Sequence, residues 1–203
     1  MTQVQANDAL RAQVRRDLPE IQEIGDPELR DKVVEAWALS LAQEGLSSIA
    51  QIKGSGDPEK NILKEGSQID HLRGVALLSM RMAEQLKELK PGLDIDRDVM
   101  IAGALVHDVG KAREFKEANQ ARWKQAPQQA GWPPARHSVH GYYICKTVDL
   151  PDEVAHIAIA HSREGVFVMK SLECTIVSHA DHSYWEIMKA GGQLIDSYTP
   201  PPR

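Results

Sequence analysis

Two helical stretches divided by a Pro-Gly pair, the second running straight into an adjacent histidine and aspartate, restrict this chain more than any other feature. From Ser67 onward, Leu72, Val75, Leu78, Met82, Leu86 and Leu89 recur at helical spacing, and Pro91-Gly92 end the run. Asp96 is placed to cap a following helix that carries Val99, Met100, Ala104 and Leu105 up to His107-Asp108. Nothing in the chain alternates with period two for long. The sequence therefore predicts an all-α fold, with chemistry stationed where one of its core helices ends.

The rest of the chain agrees. Asp26-Pro27 is a helix start, with Asp26 as cap and Pro27 at the first helical position. Leu29, Val33, Val34, Trp37 and Leu41 follow at helical spacing, and Gly45 stops the helix. Residues 1–18 mix charges with isolated apolar positions and read as a helix or a fraying end. Lys53–Asn61, KGSGDPEKN, reads as a loop and as the joint between an N-terminal segment and the main body. Residues 112–136 are polar, contain Trp123 and Trp132, and read as a long loop with one helical turn. Helices resume over Ser138–Val148, Pro151–His161 and Lys170–Ala190. The expected domain organisation is an N-terminal helical extension over 1–60 packing on the core, a catalytic domain over 61–195, and a disordered tail over 196–203.

Composition narrows the function classes. A net charge of −5 disfavours coating a nucleic-acid duplex, which needs clustered positive charge, but leaves room for a small anionic substrate. The two cysteines, Cys145 and Cys174, lack CxxC spacing and read as reduced, buried thiols. No apolar run approaches membrane-spanning length, and the N-terminus MTQVQANDAL has no apolar signal core. The expectation is a cytoplasmic protein with no membrane partner.

Eight histidines are present, and their order matters more than their number. His71 lies early in one helix, His107 and Asp108 end a second, His137 opens a third, His161 closes a fourth, and Asp181 lies within a fifth. A metal site in an all-α core draws one inward side chain from each of several helices. Imidazoles with carboxylates suit Mn, Fe, Co, Ni, Zn or Mg, and no thiolate joins the set. His107 and Asp108 point about 100° apart on a helix, so together they hold one metal and reach toward another. Two metals about 3.5–4 Å apart share a hydroxide nucleophile and clamp a phosphoryl group.

This ordered set resembles the H…HD…H…H…D signature of the HD superfamily of metal-dependent phosphohydrolases. QIDHLRGVALL supplies His71, LVHDVGK is similar to the family's LLHDIGK, and IVSHADHSYW supplies Asp181. RHSVHGYYI looks like the family's H-x-x-x-G-A segment, which selects His137, with His140 as the competing choice. IAIAHSREG selects His161. The resemblance spans roughly Ser67 to Ala190 and implies a bundle of about five core helices. It implies one or two divalent metal ions per chain. His71, His107, Asp108 and Asp181 would hold one. His137, His161 and a bridging Asp108, as in the dinuclear branch, would hold the other.

The resemblance further implies a hydrolase in which a metal-bound hydroxide attacks a small phosphoester or nucleotide, with Asp108 and Lys111 catalytic. Lys111, at the rim of the site, and Arg163 would neutralise the anion. Arg73 is placed to pair with an anion or with Asp70. His179 and His182 read as lining or supporting residues, His156 as structural, and the segment 112–136 as a substrate lid. Two other classes use the same ligands. One is a mixed-valent di-iron oxygenase, such as the inositol oxygenases; the other is a non-catalytic nucleotide- or metal-sensing module. A homodimer is compatible with the sequence.

Overall fold

A computed structural model describes residues 5–57 and 60–195. The expected tail at 196–203 lies outside the described residues. The all-α reading holds, with one small exception. Helices α1 (Asp8–Asp17) and α2 (Pro27–Glu44) come first, joined by a 3-10 turn at Pro19–Glu23. Asp26 Oδ1 accepts the Glu28 backbone N–H at 2.8 Å and opens α2, and Gly45, at φ 66°, closes it. A hairpin of β1 (Ser55–Asp57) and β2 (Lys60–Ile62) then occupies most of the stretch expected to be a loop and runs one residue past it.

Helix α3 (Gln68–Leu89) begins with a capping box between Ser67 and Asp70. Helix α4 (Arg97–Val106) starts on Asp96, whose Oδ1 accepts the Val99 N–H at 3.0 Å. Every residue of α4 from Met100 onward is buried, so this helix is the axis of the bundle. The segment 112–136 is not a long loop. It folds as short helices α5 (Lys111–Glu114), α6 (Glu117–Gln125) and α7 (Pro127–Ala130). Helices α8 (His137–Thr147), α9 (Asp152–Ala160) and α10 (Leu172–Ala190) follow, with a 3-10 turn at Arg163–Phe167.

Around α4 pack α3, α9, α10 and α2; α8 packs on α9 and α2. One continuous apolar cluster includes Val14, Trp37 and Leu41 from the N-terminal helices together with Leu72, Ile101, Ile157 and Val177. After α10 the chain returns to the hairpin, where Leu63 and Leu194 form an antiparallel bridge. Among the described residues, no helix is long and apolar enough to cross a membrane.

Candidate metal centre

The site forms where α4 runs out. The last carbonyls of a helix lack intrahelical donors, and here each one of the final three finds another. Ala104 O accepts His107 Nδ1–H at 2.7 Å, Leu105 O accepts the Trp37 indole N–H at 2.7 Å, and Val106 O accepts the Val109 N–H at 2.9 Å. Ser40 Oγ donates to Val109 O at 2.6 Å. The turn carrying His107 and Asp108 is thus clamped from beneath by α2. Gly110 allows the next close approach: a Cβ there would lie 2.1 Å from His137 O and 2.8 Å from Gly141 N.

Four imidazoles and two carboxylates converge on this turn. Asp108 is buried, and its two oxygens face different neighbours. Oδ2 lies 3.1 Å from His71 Nε2 and 3.3 Å from His107 Nε2. Oδ1 lies 3.3 Å from His137 Nε2 and 3.7 Å from His161 Nε2. Asp181 Oδ1 is 3.3 Å from His71 Nε2. All six residues expected from the sequence therefore meet in space. His140 does not join them; it stacks on Tyr143 and lies on the side of α8 near Arg113.

The rings of His107, His137 and His161 are oriented to present lone pairs inward. A carbonyl only accepts, so His107 Nδ1 (on Ala104 O) and His161 Nδ1 (on Ala158 O, 3.0 Å) carry their protons. Their Nε2 atoms are left as acceptors. His137 Nδ1 is bound in the same way by Glu114 Oε2 at 2.8 Å. His71 and His107 Nε2 stand only 3.2 Å apart. His71 Nδ1 has no hydrogen-bond partner among the described residues, so this ring can carry its proton there and turn Nε2 toward a cation. Among the described residues two groups could hold a metal ion, His71–His107–Asp181 and His107–Asp108–His161, with ligand atoms within 4.8 Å of one another. Donor set, tautomers and spacing all fit a divalent cation.

The electrostatics agree. Burial pulls the His161 ring down to about 3, and burial likewise lowers His71, so both rings are held neutral. Burial pulls His107 down as well, but the Asp108 carboxylate outweighs it and leaves His107 above its ordinary value. Burial pushes Asp108 up, and Lys111 and His107 overcome that and hold it well below the usual carboxylate range. Asp181 is lowered too, because His71 and His107 more than offset its burial.

Two expectations need correcting. Lys111, expected at the rim of the site, lines the cavity but is buried, only 2% exposed. Its Nζ lies 2.7 Å from Asp108 Oδ2 and donates to Ser55 O at 2.7 Å, because the hairpin folds over it. Arg73 pairs not with Asp70 but with Glu20, its Nε 2.8 Å from Glu20 Oε1. His71 and Arg73 are two residues apart on a helix, about 200°, and cannot face one cavity. Asp70 is occupied in the cap of α3.

A cavity of about 560 Å3 opens above the centre. Lys111, Arg136, Arg163 and Lys170 line it, as do the exposed His179 and His182. The expected lid over 112–136 contributes only Arg136 to that lining, and Trp123 is buried elsewhere. The covering wall comes instead from the hairpin, through Gly56 and Asn61, and from Trp185, which stacks on His71 with ring centroids 4.6 Å apart. His156 is structural, accepting the Ser171 N–H at the start of α10.

Several residues of the site carry no signature in sequence. Gln68 Nε2 donates to Asp108 Oδ2 at 2.8 Å, and Glu114 holds His137. Their only cue is helical spacing. Gln68 precedes His71 by three residues, and Trp185 follows Asp181 by four.

Over 100 residues the chain is 33% identical to the dihydroneopterin 2',3'-cyclic phosphate phosphodiesterase of Methanocaldococcus jannaschii; the alignment covers 46% of this chain and 39% of that protein. The match thus spans about two-fifths of the relative's length. No solved structure matches the chain. Residues 69–184 match the HD domain, more than half of the 203 residues, and that stretch begins two residues before His71 and ends three after Asp181. The chain therefore belongs to the HD domain family.

Proposed function

We propose that this chain is a metal-dependent phosphohydrolase acting on a small phosphoester, with a cyclic or linear phosphodiester of a nucleotide-like alcohol as the favoured substrate class. The observation that carries the reading is the division of Asp108. One oxygen faces His71 and His107, the other faces His137 and His161. A carboxylate so divided suits a bridge between two cations. His71, His107, Asp108 and Asp181 would hold the first, and Asp108, His137 and His161 the second. Bound there, divalent cations supply Lewis acidity, which activates water and offsets phosphoryl charge.

The chain's own residues do the remaining work. Lys111 neutralises Asp108 and stands at the cavity floor, where its positive charge also favours an anionic substrate. Gln68 fixes the Asp108 carboxylate in plane by a second bond to Oδ2. Arg163 offers a further cation at the cavity wall. Trp185 and the hairpin shield the centre from bulk water on one side. The relative's name, a 2',3'-cyclic phosphate phosphodiesterase, supports a phosphodiester in particular.

Metal content per chain and hydrolysis of bis(p-nitrophenyl) phosphate and 2',3'-cyclic nucleotides test the reading together. The expected result is one or two divalent ions per chain and turnover that His107→Ala abolishes along with the metal. Retained activity in His107→Ala would sink the assignment. Iron with oxygen consumption, and no phosphoester turnover, would move the chain to the oxygenase class.

A further inference from the structure

We propose that Arg136 is a phosphate-binding residue of this cavity, and that Glu114 is the positioning residue that holds it there while orienting His137. The proposal rests on the phosphohydrolase reading and adds a recognition element to it. Glu114 is buried on α5, just below the centre. Its two oxygens serve two neighbours. Oε2 accepts both the backbone N–H and the Nδ1–H of His137. Oε1 lies 3.0 Å from Arg136 Nε.

The contact with Arg136 is one of charge rather than of a well-directed hydrogen bond, since neither Nε nor Oε1 makes such a bond among the described residues. It balances a carboxylate that would be costly to bury alone. It also leaves the terminal nitrogens of the guanidinium uncommitted to any hydrogen bond among the described residues. Arg136 is partly exposed, and it lines the cavity beside His137. Glu164 is within electrostatic range of it and is the competing charge.

The other cavity ammonium groups are already engaged. Lys111 Nζ is held by Asp108 and Ser55 O. Lys170 Nζ donates to Ser178 Oγ at 3.0 Å and to His161 O at 3.3 Å. Arg136 combines an anchored stem, a planar fork and an open face toward the centre. A guanidinium in that setting grips two oxygens of a phosphoryl group at once. Because one carboxylate holds both Arg136 and His137, the phosphate grip and the ligand ring are kept in register by a single side chain.

The test is titration of the metal-loaded full-length protein with inorganic phosphate by calorimetry, alongside metal analysis and steady-state kinetics. Arg136→Ala is expected to weaken phosphate about tenfold or more, the worth of one charge-assisted contact, with metal content unchanged. KM should rise more than kcat falls. Arg136→Lys should recover part of the affinity. Glu114→Gln, which can still accept from His137 but no longer attracts the guanidinium, should fall between. Arg136→Ala that binds phosphate as tightly as the unmodified protein overturns the proposal and leaves the phosphohydrolase reading standing. An unmodified, metal-loaded protein that takes up no phosphate removes both.

Discussion

Trp37→Phe tests whether the N-terminal helices are part of the site's foundation. The indole N–H donates to Leu105 O, two residues before His107, and Trp37 is fully buried. Phenylalanine keeps the ring's apolar contacts but removes the donor and one fused ring. Leaving a buried carbonyl without a partner costs about 1–3 kcal/mol. The void adds about 1 kcal/mol, since the surroundings collapse only partly. A total of about 2–4 kcal/mol should lower Tm by about 5–15 °C in a chain of this size. Calorimetry gives the Tm, and zinc or manganese titration gives the consequence for the site: affinity should fall, because the turn bearing His107 and Asp108 loses a strut. A Tm within about 1 °C of the unmodified protein, with unaltered metal affinity, would refute the reasoning. It would mean that the turn is held by α4 alone. Ser40→Ala, which strips the donor from Val109 O, probes the same turn, so the two losses should not add.

Gly110→Ala places a methyl group against the backbone of α8, which has no flexible end to move aside. The expected cost is about 1–3 kcal/mol, together with loss of metal as His137 is pushed from Asp108; normal metal content would count against the close approach. His140, half-buried and lowered to about 4, should show an NMR titration midpoint near that value, well below the ordinary 6.5. Burial is the main cause, with nearby Arg113 second. The sign follows: between about pH 6.5 and 4 the unfolded chain takes up a proton that the folded chain refuses, so stability falls as pH falls through that window. Discounted for partial exposure, the loss is about 1–2 kcal/mol. A midpoint above 6 would contradict it.

The helices that carry the converging residues were legible because each begins or ends with a recognisable signal. Ser67 and Asp96 cap α3 and α4, and α8 begins within one residue of the stretch expected for it. Order along the chain was enough to select six residues that converge, since each falls at a helix end or on an inward face. Elsewhere the local signal was absent. The three-residue strands carry no apolar alternation, and the hairpin is held by packing of Gly56 on Trp185 and by the return of the chain after α10. Helix α6 buries only Trp123, so it lacks the stripe by which a helix is read. Gln68, Glu114 and Arg136 are ordinary polar residues in sequence and acquire roles only through convergence.

That convergence also explains why residues outside the matched stretch 69–184 belong to the chemistry. Lys111 is buried beside Asp108, and a buried ammonium needs more than one acceptor to stay charged. The second acceptor is the Ser55 carbonyl, supplied by the hairpin. Without the hairpin, Lys111 would have reason to swing into the cavity, and Asp108 Oδ2 would lose the cation that most lowers it. Charge in the centre is then short by one partner: Asp108 and Asp181 face a single fixed protein cation, and His107 is drawn toward protonation by what remains. A divalent ion supplies that positive charge without placing a proton on a ligand nitrogen. The hairpin and a bound metal would thus be two parts of one neutralisation: the hairpin keeps Lys111 on Asp108, and a divalent ion would supply the charge that is missing.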